Sequence, residues 1–147
     1  MSLRVAPSPR SHYPRFSSIQ TRWADNDVYG HVNNVVYYSY FDTVVNRWLI
    51  ENGALKIEGG SVIGLVVQTQ CHYFAPVAFP QSLEAGLRVA HLGRSSVRYE
   101  IGLFVPGHPT SAAAGHIVHV YVDRASRRPL SLPAAVRAAL QPLQTLE

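Results

Sequence analysis

The stretch Val35 to Ile50 constrains this chain most, because its apolar residues recur at helical spacing over four turns. Tyr37, Phe41, Val44 and Trp48 form one row, with Tyr38, Val45 and Leu49 beside it. Together they make a wide apolar face, opposed by Ser39, Asp42, Thr43, Asn46 and Arg47. Asn33 or Asn34 is a suitable N-cap, and Asn52-Gly53 a suitable stop. Immediately upstream lies the polar loop Asp25-Asn26-Asp27-Val28-Tyr29-Gly30-His31-Val32-Asn33-Asn34. Two carboxylates therefore stand just before a helix start, where orphan N–H groups and the positive end of the helix dipole gather.

The remainder of the chain is patterned for strands. Phe16 to Trp23 enters the loop as a strand, and Ala54 to Ser61 is a connector. Val62 to Phe74 alternates, with Ile63, Leu65, Val67, Thr69, Cys71 and Tyr73 on one face and Gln68, Gln70 and His72 on the other. Leu83 to Leu92 and Ser96 to Val105 alternate as well, joined by the turn Gly93-Arg94-Ser95. Ala112 to Val122 is apolar on both faces, as expected of a central strand or one at a subunit contact. Pro133 to Leu140 reads as a short terminal helix. Short connections make these strands antiparallel. The expected class is α+β: a curved antiparallel β-sheet wrapped around one long central α-helix. Residues 15–147 form a single domain, and residues 1–14, with three prolines and three serines, a flexible lead-in.

A hydrophobic fraction of 47% against 15% charged residues excludes a disordered chain. No apolar run approaches the roughly 20 residues of a membrane span. Cys71 is the only cysteine, which precludes an intrachain disulfide and fits a cytoplasmic location. The net charge of +4 rests on twelve arginines and one lysine, and suits an anionic partner. A genome rich in GC would give the same composition without any partner. Phosphate-cradling glycine loops and the serine-hydrolase elbow are absent from the sequence. The seven histidines form no ligand framework, so no metal and no cofactor is expected, and charge alone does not argue for nucleic acid.

Among residues able to do chemistry, Asp27 leads. An ionised carboxylate can attack an acyl carbonyl or act as general base for water. The spacing alone favours Asp25 and Asp27 as formers of an Asx turn, and Asp25 is also placed for a salt bridge with Arg22. His31 is placed either to orient Asp27 or to pack at the helix start, and Gly30 to permit a backbone angle or a close approach.

The run Arg22-Trp23-Ala24-Asp25-Asn26-Asp27-Val28-Tyr29-Gly30-His31-Val32-Asn33-Asn34, followed by Tyr37 and Tyr40-Phe41, resembles the signature of hotdog-fold acyl-CoA thioesterases of the 4-hydroxybenzoyl-CoA thioesterase type. The resemblance implies a hotdog fold and hydrolysis of an acyl-CoA to a carboxylic acid and free coenzyme A. It makes Asp27 the catalytic acid, with His31 beside it and the Asn34 N–H polarising the thioester oxygen. It further implies substrate contacts at Gly30, Asn33 and Tyr37, and a homodimer or homotetramer with sites at subunit contacts. Arg88, Arg94 and Arg98, with Ser95 and Ser96, are candidates for the coenzyme A phosphates. The alternative is a non-catalytic hotdog module that binds acyl-CoA.

Overall fold

A computed structural model describes residues 5–55 and 60–144. Gly59 of the expected connector and residues 1–4 of the expected lead-in lie outside them. Five strands, β1 (Arg15–Gln20), β2 (Val62–Tyr73), β3 (Ser82–Leu92), β4 (Ser96–Phe104) and β5 (Ala113–Asp123), form one antiparallel sheet. Their order is β1-β3-β4-β5-β2. Helix α1 (Val36–Glu51) follows β1, touches every strand, and carries the chain from one sheet edge to the other. A short α2 (Ala134–Leu140) closes the chain. This arrangement is consistent with a hotdog thioesterase fold.

The core lies between α1 and the sheet. Phe41, Val44 and Val45 of α1 meet Leu83, Ala85 and Leu87 of β3, Tyr99, Ile101 and Leu103 of β4, and Ile117 of β5. The helix ends at Asn52-Gly53, where Gly53 takes a φ of 70°. Trp48 packs against the core and donates its indole N–H to the Ala139 carbonyl at 2.9 Å, which ties α2 to α1.

Two expectations change. The first concerns β2. Its pairing with β5 slips between Val66 and Gln68, a bulge that leaves Val67 opposite no partner. One extra residue reverses the side-chain alternation. Ile63 and Leu65 therefore share the face of Gln68, Gln70 and His72, while Thr69, Cys71 and Tyr73 face α1 with Ile117 and Ala113. β2 is also an edge strand, and Val66 and Val67 are exposed rather than half-buried.

The second concerns the lead-in. Residues 5–14 are packed along the sheet face opposite α1. Ser111 donates its N–H to the Ser8 carbonyl at 2.9 Å, and the Arg10 guanidinium donates to Glu84 Oε1 at 2.9 Å and stacks over the Phe104 ring at 4.8 Å. Tyr13 is only 5% exposed. Its ring occupies a slot made by Gly86 and Gly102, directly opposite each other in the β3–β4 ladder. A Cβ at Gly86 would stand 2.5 Å from Tyr13 Cγ, and one at Gly102 2.6 Å from its hydroxyl. The segment has few apolar residues, but the sheet supplies a socket for the one large ring it contains.

Candidate active site

The polar loop is held from both ends. Val32 donates its N–H to the Val77 carbonyl at 2.8 Å, and Asn33 donates to the Asp25 carbonyl at 2.9 Å. Asn26 Oδ1 accepts from the Phe79 N–H at 3.0 Å. These bonds fasten the loop to the segment that leads into β3.

Within it the two acids have different fates. Asp25 is 1% exposed, and its carboxylate is fully engaged. Oδ1 accepts from Arg22 Nε (3.0 Å) and Nη2 (2.8 Å); Oδ2 accepts from the Arg22 N–H (2.9 Å) and the Tyr40 hydroxyl (2.6 Å). Burial acts to raise the Asp25 carboxyl, but the hydrogen bonds from Arg22 and Tyr40 outweigh it and hold the group below the usual carboxylate range. Burial and the neighbouring carboxylate push the Tyr40 phenol up. Asp25 thus bolts the loop to α1.

Asp25→Asn should lower stability by about 1.5–3 kcal/mol at neutral pH, the usual worth of a hydrogen bond to a charged group. Because the folded-state value is depressed, this stabilisation is present above the unfolded value of about 3.9 and disappears as pH falls through the folded one. The gap between the melting temperatures of the two proteins should therefore hold from pH 7 down to about pH 4, begin to narrow below it, and close only once the pH is below the depressed folded-state value; a gap independent of pH would contradict the assignment.

Asp27 is half-buried, and one oxygen, Oδ1, accepts the Tyr29 N–H at 2.8 Å. Among the described residues no other hydrogen bond reaches its carboxylate. The backbone around it is a tight turn: Gly30 donates to the Asp27 carbonyl at 3.0 Å, and Asp27 donates to the His31 carbonyl at 2.9 Å. Gly30 takes a φ of 83°, in the left-handed region that a side chain disfavours. The Asx turn read from the spacing is present at Asp27, and it occupies only one oxygen.

Past the turn, Asn33 prepares the helix: its Oδ1 accepts from the Val35 N–H (3.2 Å) and its carbonyl from the Val36 N–H (3.0 Å). Asn34 is exposed, and its N–H makes no hydrogen bond among the described residues. Its carbonyl accepts from the Tyr73 hydroxyl at 2.9 Å. Tyr73 in turn sets its ring edge against Tyr37, 4.9 Å between centroids. His31, Asn34, Tyr37 and Tyr73 line an open groove of about 320 Å³, floored by Val32 and Phe74. Tyr37 is buried there, and desolvation pushes its phenol up to about 12. Asp27 stands next to this groove in sequence but does not line it. Tyr73 was not a candidate from sequence; its only signal was its place at the end of β2, before Pro76.

The arginine candidates divide. Arg88 is 7% exposed on the sheet face opposite α1, paired with Glu100 Oε1 at 2.9 Å, so it is not a surface cation. Arg98 sits on the same face, donating to His116 Nδ1 at 3.2 Å. Only Arg94 of the three is well exposed, at the tip of the β3–β4 hairpin, where its Nε donates to Ser131 Oγ at 3.2 Å. Ser95 and Ser96 are half-buried, with their carbonyls accepting from Tyr121 (2.7 Å) and Gly93 (2.8 Å). That tip lies at the opposite end of β3 from the loop, about 30 Å away at roughly 3.3 Å per residue. One chain does not bring the two together.

A family model described as the thioesterase-like superfamily matches residues 21–140. The chain is similar to the crystal structure of the PA5185 protein of Pseudomonas aeruginosa strain PAO1, with 58% identity and a TM-score of 0.92, covering 95% of this chain and 98% of that one. It shares its fold with Slr0204, a 1,4-dihydroxy-2-naphthoyl-CoA thioesterase from Synechocystis, at 18% identity and a TM-score of 0.79 over 85% of this chain and 93% of that one. The YsmA protein of Bacillus subtilis strain 168 is 24% identical over 123 residues, 83% of this chain and 82% of its own length. With the family match spanning most of its length, the chain belongs to the thioesterase-like superfamily, and by that membership is a thioester hydrolase.

Proposed function

We propose that the substrate is an acyl-CoA, cleaved by water to a carboxylic acid and free coenzyme A, and that Asp27 is the nucleophile or general base. The observation that carries this reading is the division of labour between the two acids. Asp25 is consumed by structure, while Asp27 keeps an oxygen outside every hydrogen bond among the described residues. The Asn34 N–H supports it: an unspent donor at a helix start suits the oxygen of a thioester as charge builds on it, a contribution of about 10²–10³ in rate. Gly30 and Asn33 shape the loop, His31 and Tyr37 border the groove, and Arg94 is left to meet a coenzyme A phosphate. Thiol release measured across short, long and aromatic acyl-CoAs tests the reading; release from none would discard it in favour of the binding module.

The site is completed by a second copy, in a cytoplasmic dimer or tetramer of hotdog units with α1 as the central helix of each. β2 is a twelve-residue edge strand, and an unpaired edge of that length invites pairing. Around the loop, Trp23, Val28 and Tyr29 are 75%, 93% and 82% exposed, an apolar fringe that a monomer would leave in water. Two β2 strands paired antiparallel about a two-fold axis set the Val62 end of one chain against the Tyr73 end of the other. Light scattering should give two or four times the 16.3 kDa chain mass. A fully active monomer would exclude shared sites.

A further inference from the structure

The two peptide groups that meet at Asn34 are pinned from different parts of the fold. On the N-terminal side, the Asn33 carbonyl accepts the Val36 N–H at 3.0 Å. On the C-terminal side, the peptide joining Asn34 to Val35 is held at both ends. Its N–H donates to Asn33 Oδ1 at 3.2 Å, and its carbonyl accepts the Tyr73 hydroxyl at 2.9 Å. Asn33 is local to the loop, whereas Tyr73 lies thirty-nine residues on and brings the sheet to bear on the same turn. The bulge at Val67 sets Tyr73 on the α1 side of β2, and the ladder to β5 fixes its backbone opposite Ala113. Its ring edge rests on Tyr37, 4.9 Å between centroids. The hydroxyl therefore reaches Asn34 from a strand and a ring that are both anchored. A phenylalanine would make the same ring contact, and Tyr73 is exposed enough at the groove for water to satisfy its hydroxyl. Neither packing nor burial calls for the hydroxyl. Its acceptor does, because that carbonyl belongs to a residue whose own N–H is unspent among the described residues.

We propose that Tyr73 is a positioning residue: by holding the Asn34 carbonyl it fixes the direction in which the Asn34 N–H meets the thioester oxygen. This rests on the acyl-CoA reading above, in which that N–H is the donor. The hydroxyl bonds the peptide next to the donor's own, so it does not polarise the donor; it restrains it. With Asn34 held on one side only, the two peptides can rock about their shared Cα and swing the N–H away from the groove. A donor stabilises developing charge best when it needs no reorientation at the moment of reaction. Supporting hydrogen bonds from rigid elements are what keep such a donor in place.

Tyr73→Phe removes the hydroxyl and keeps the ring. For an acyl-CoA that wild type cleaves, its kcat should fall about tenfold, a part of the roughly 10²–10³ that the whole donor supplies, with KM unchanged within about twofold. The second readout is the infrared carbonyl stretch of a bound ketone analogue, an acyl-CoA with a methylene in place of the sulfur and an isotopically labelled carbonyl. Binding to wild type should shift that band to lower frequency, as an N–H donor polarises the carbonyl. Tyr73→Phe should shift it less and leave it broader, because the donor then samples several directions. A purely structural tie would instead lower the melting temperature and leave both kcat and the band as in wild type, and that result would overturn the proposal. An unshifted band in wild type, a measurement that needs no variant, would also overturn it, since the donor itself would then be absent. Release of thiol from no acyl-CoA would instead overturn the acyl-CoA reading on which it stands.

Discussion

Asp27→Asn is expected to lower kcat by at least about 10²-fold with the fold retained. General-base catalysis by a positioned side chain contributes about 10²–10⁴-fold, and a nucleophile's loss costs no less. The substitution is unusually clean here. Asn keeps an Oδ1 that accepts the Tyr29 N–H, so the Asx turn survives, and the Gly30 and His31 backbone bonds of the turn involve no side chain at all. What disappears is the charge and the basic oxygen. The melting temperature should therefore move little, in line with the ±0.5 kcal/mol of an ordinary surface change. Asp25→Asn should show the reverse profile, because its carboxylate accepts four hydrogen bonds from Arg22 and Tyr40. Measuring kcat and thermal stability for both variants separates the roles. Near-full turnover by Asp27→Asn would remove it from the chemistry, and matched losses of stability in the two variants would make both acids turn formers.

What the sequence revealed, and what it concealed, follows from the range of the forces involved. The body and the end of α1 were legible because apolar periodicity and Asn52-Gly53 are local signals; its start was not, since the cap falls at Val35 with no side-chain cap bond, and Asn33 instead shapes the turn before it. The strands were legible for the same reason. The sheet order was not, because β2 leaves its sequence neighbour β3 and pairs with β5, a choice made by non-local packing. A single residue, Val67, was enough to invert half of β2, and nothing in its side chain announces a bulge. At the site, the D-x-D loop carried its own signature, and the pairing of Asp25 with Arg22 was within local reach; the Tyr40 hydroxyl that completes it, fifteen residues downstream, was not. Arg88 was a candidate for the coenzyme A phosphates, a role that asks for a cation open to water on the outer side of β3. That side is in fact covered, by Glu100 across the ladder and by the N-terminal segment above it.

The N-terminal segment gives the largest stability prediction. Tyr13→Ala should cost about 3–5 kcal/mol, the range for truncating a buried aromatic ring. The loss has three sources. The ring leaves an empty slot between Gly86 and Gly102, which have no side chains with which to close it. Its edge contacts with Phe104 (5.9 Å) and Phe16 (6.3 Å) vanish, and each such pair is worth about 0.5–1.5 kcal/mol beyond area alone. Finally, the anchor is lost that keeps His12 at Glu100 and Arg10 at Glu84, so the Arg88–Glu100 pair becomes open to water. For a chain of this length each kcal/mol lowers the melting temperature by roughly 2–4 °C, so a fall on the order of 10 °C is expected. Gly102→Ala probes the same slot from the other side: its new methyl meets the Tyr13 ring and expels it. If Tyr13 is the anchor, the two changes are not additive, and the double variant should be no less stable than Tyr13→Ala alone, because the methyl then enters space the ring has vacated. A melting temperature unchanged by Tyr13→Ala would return residues 5–14 to the status of a dispensable lead-in, whatever their packing.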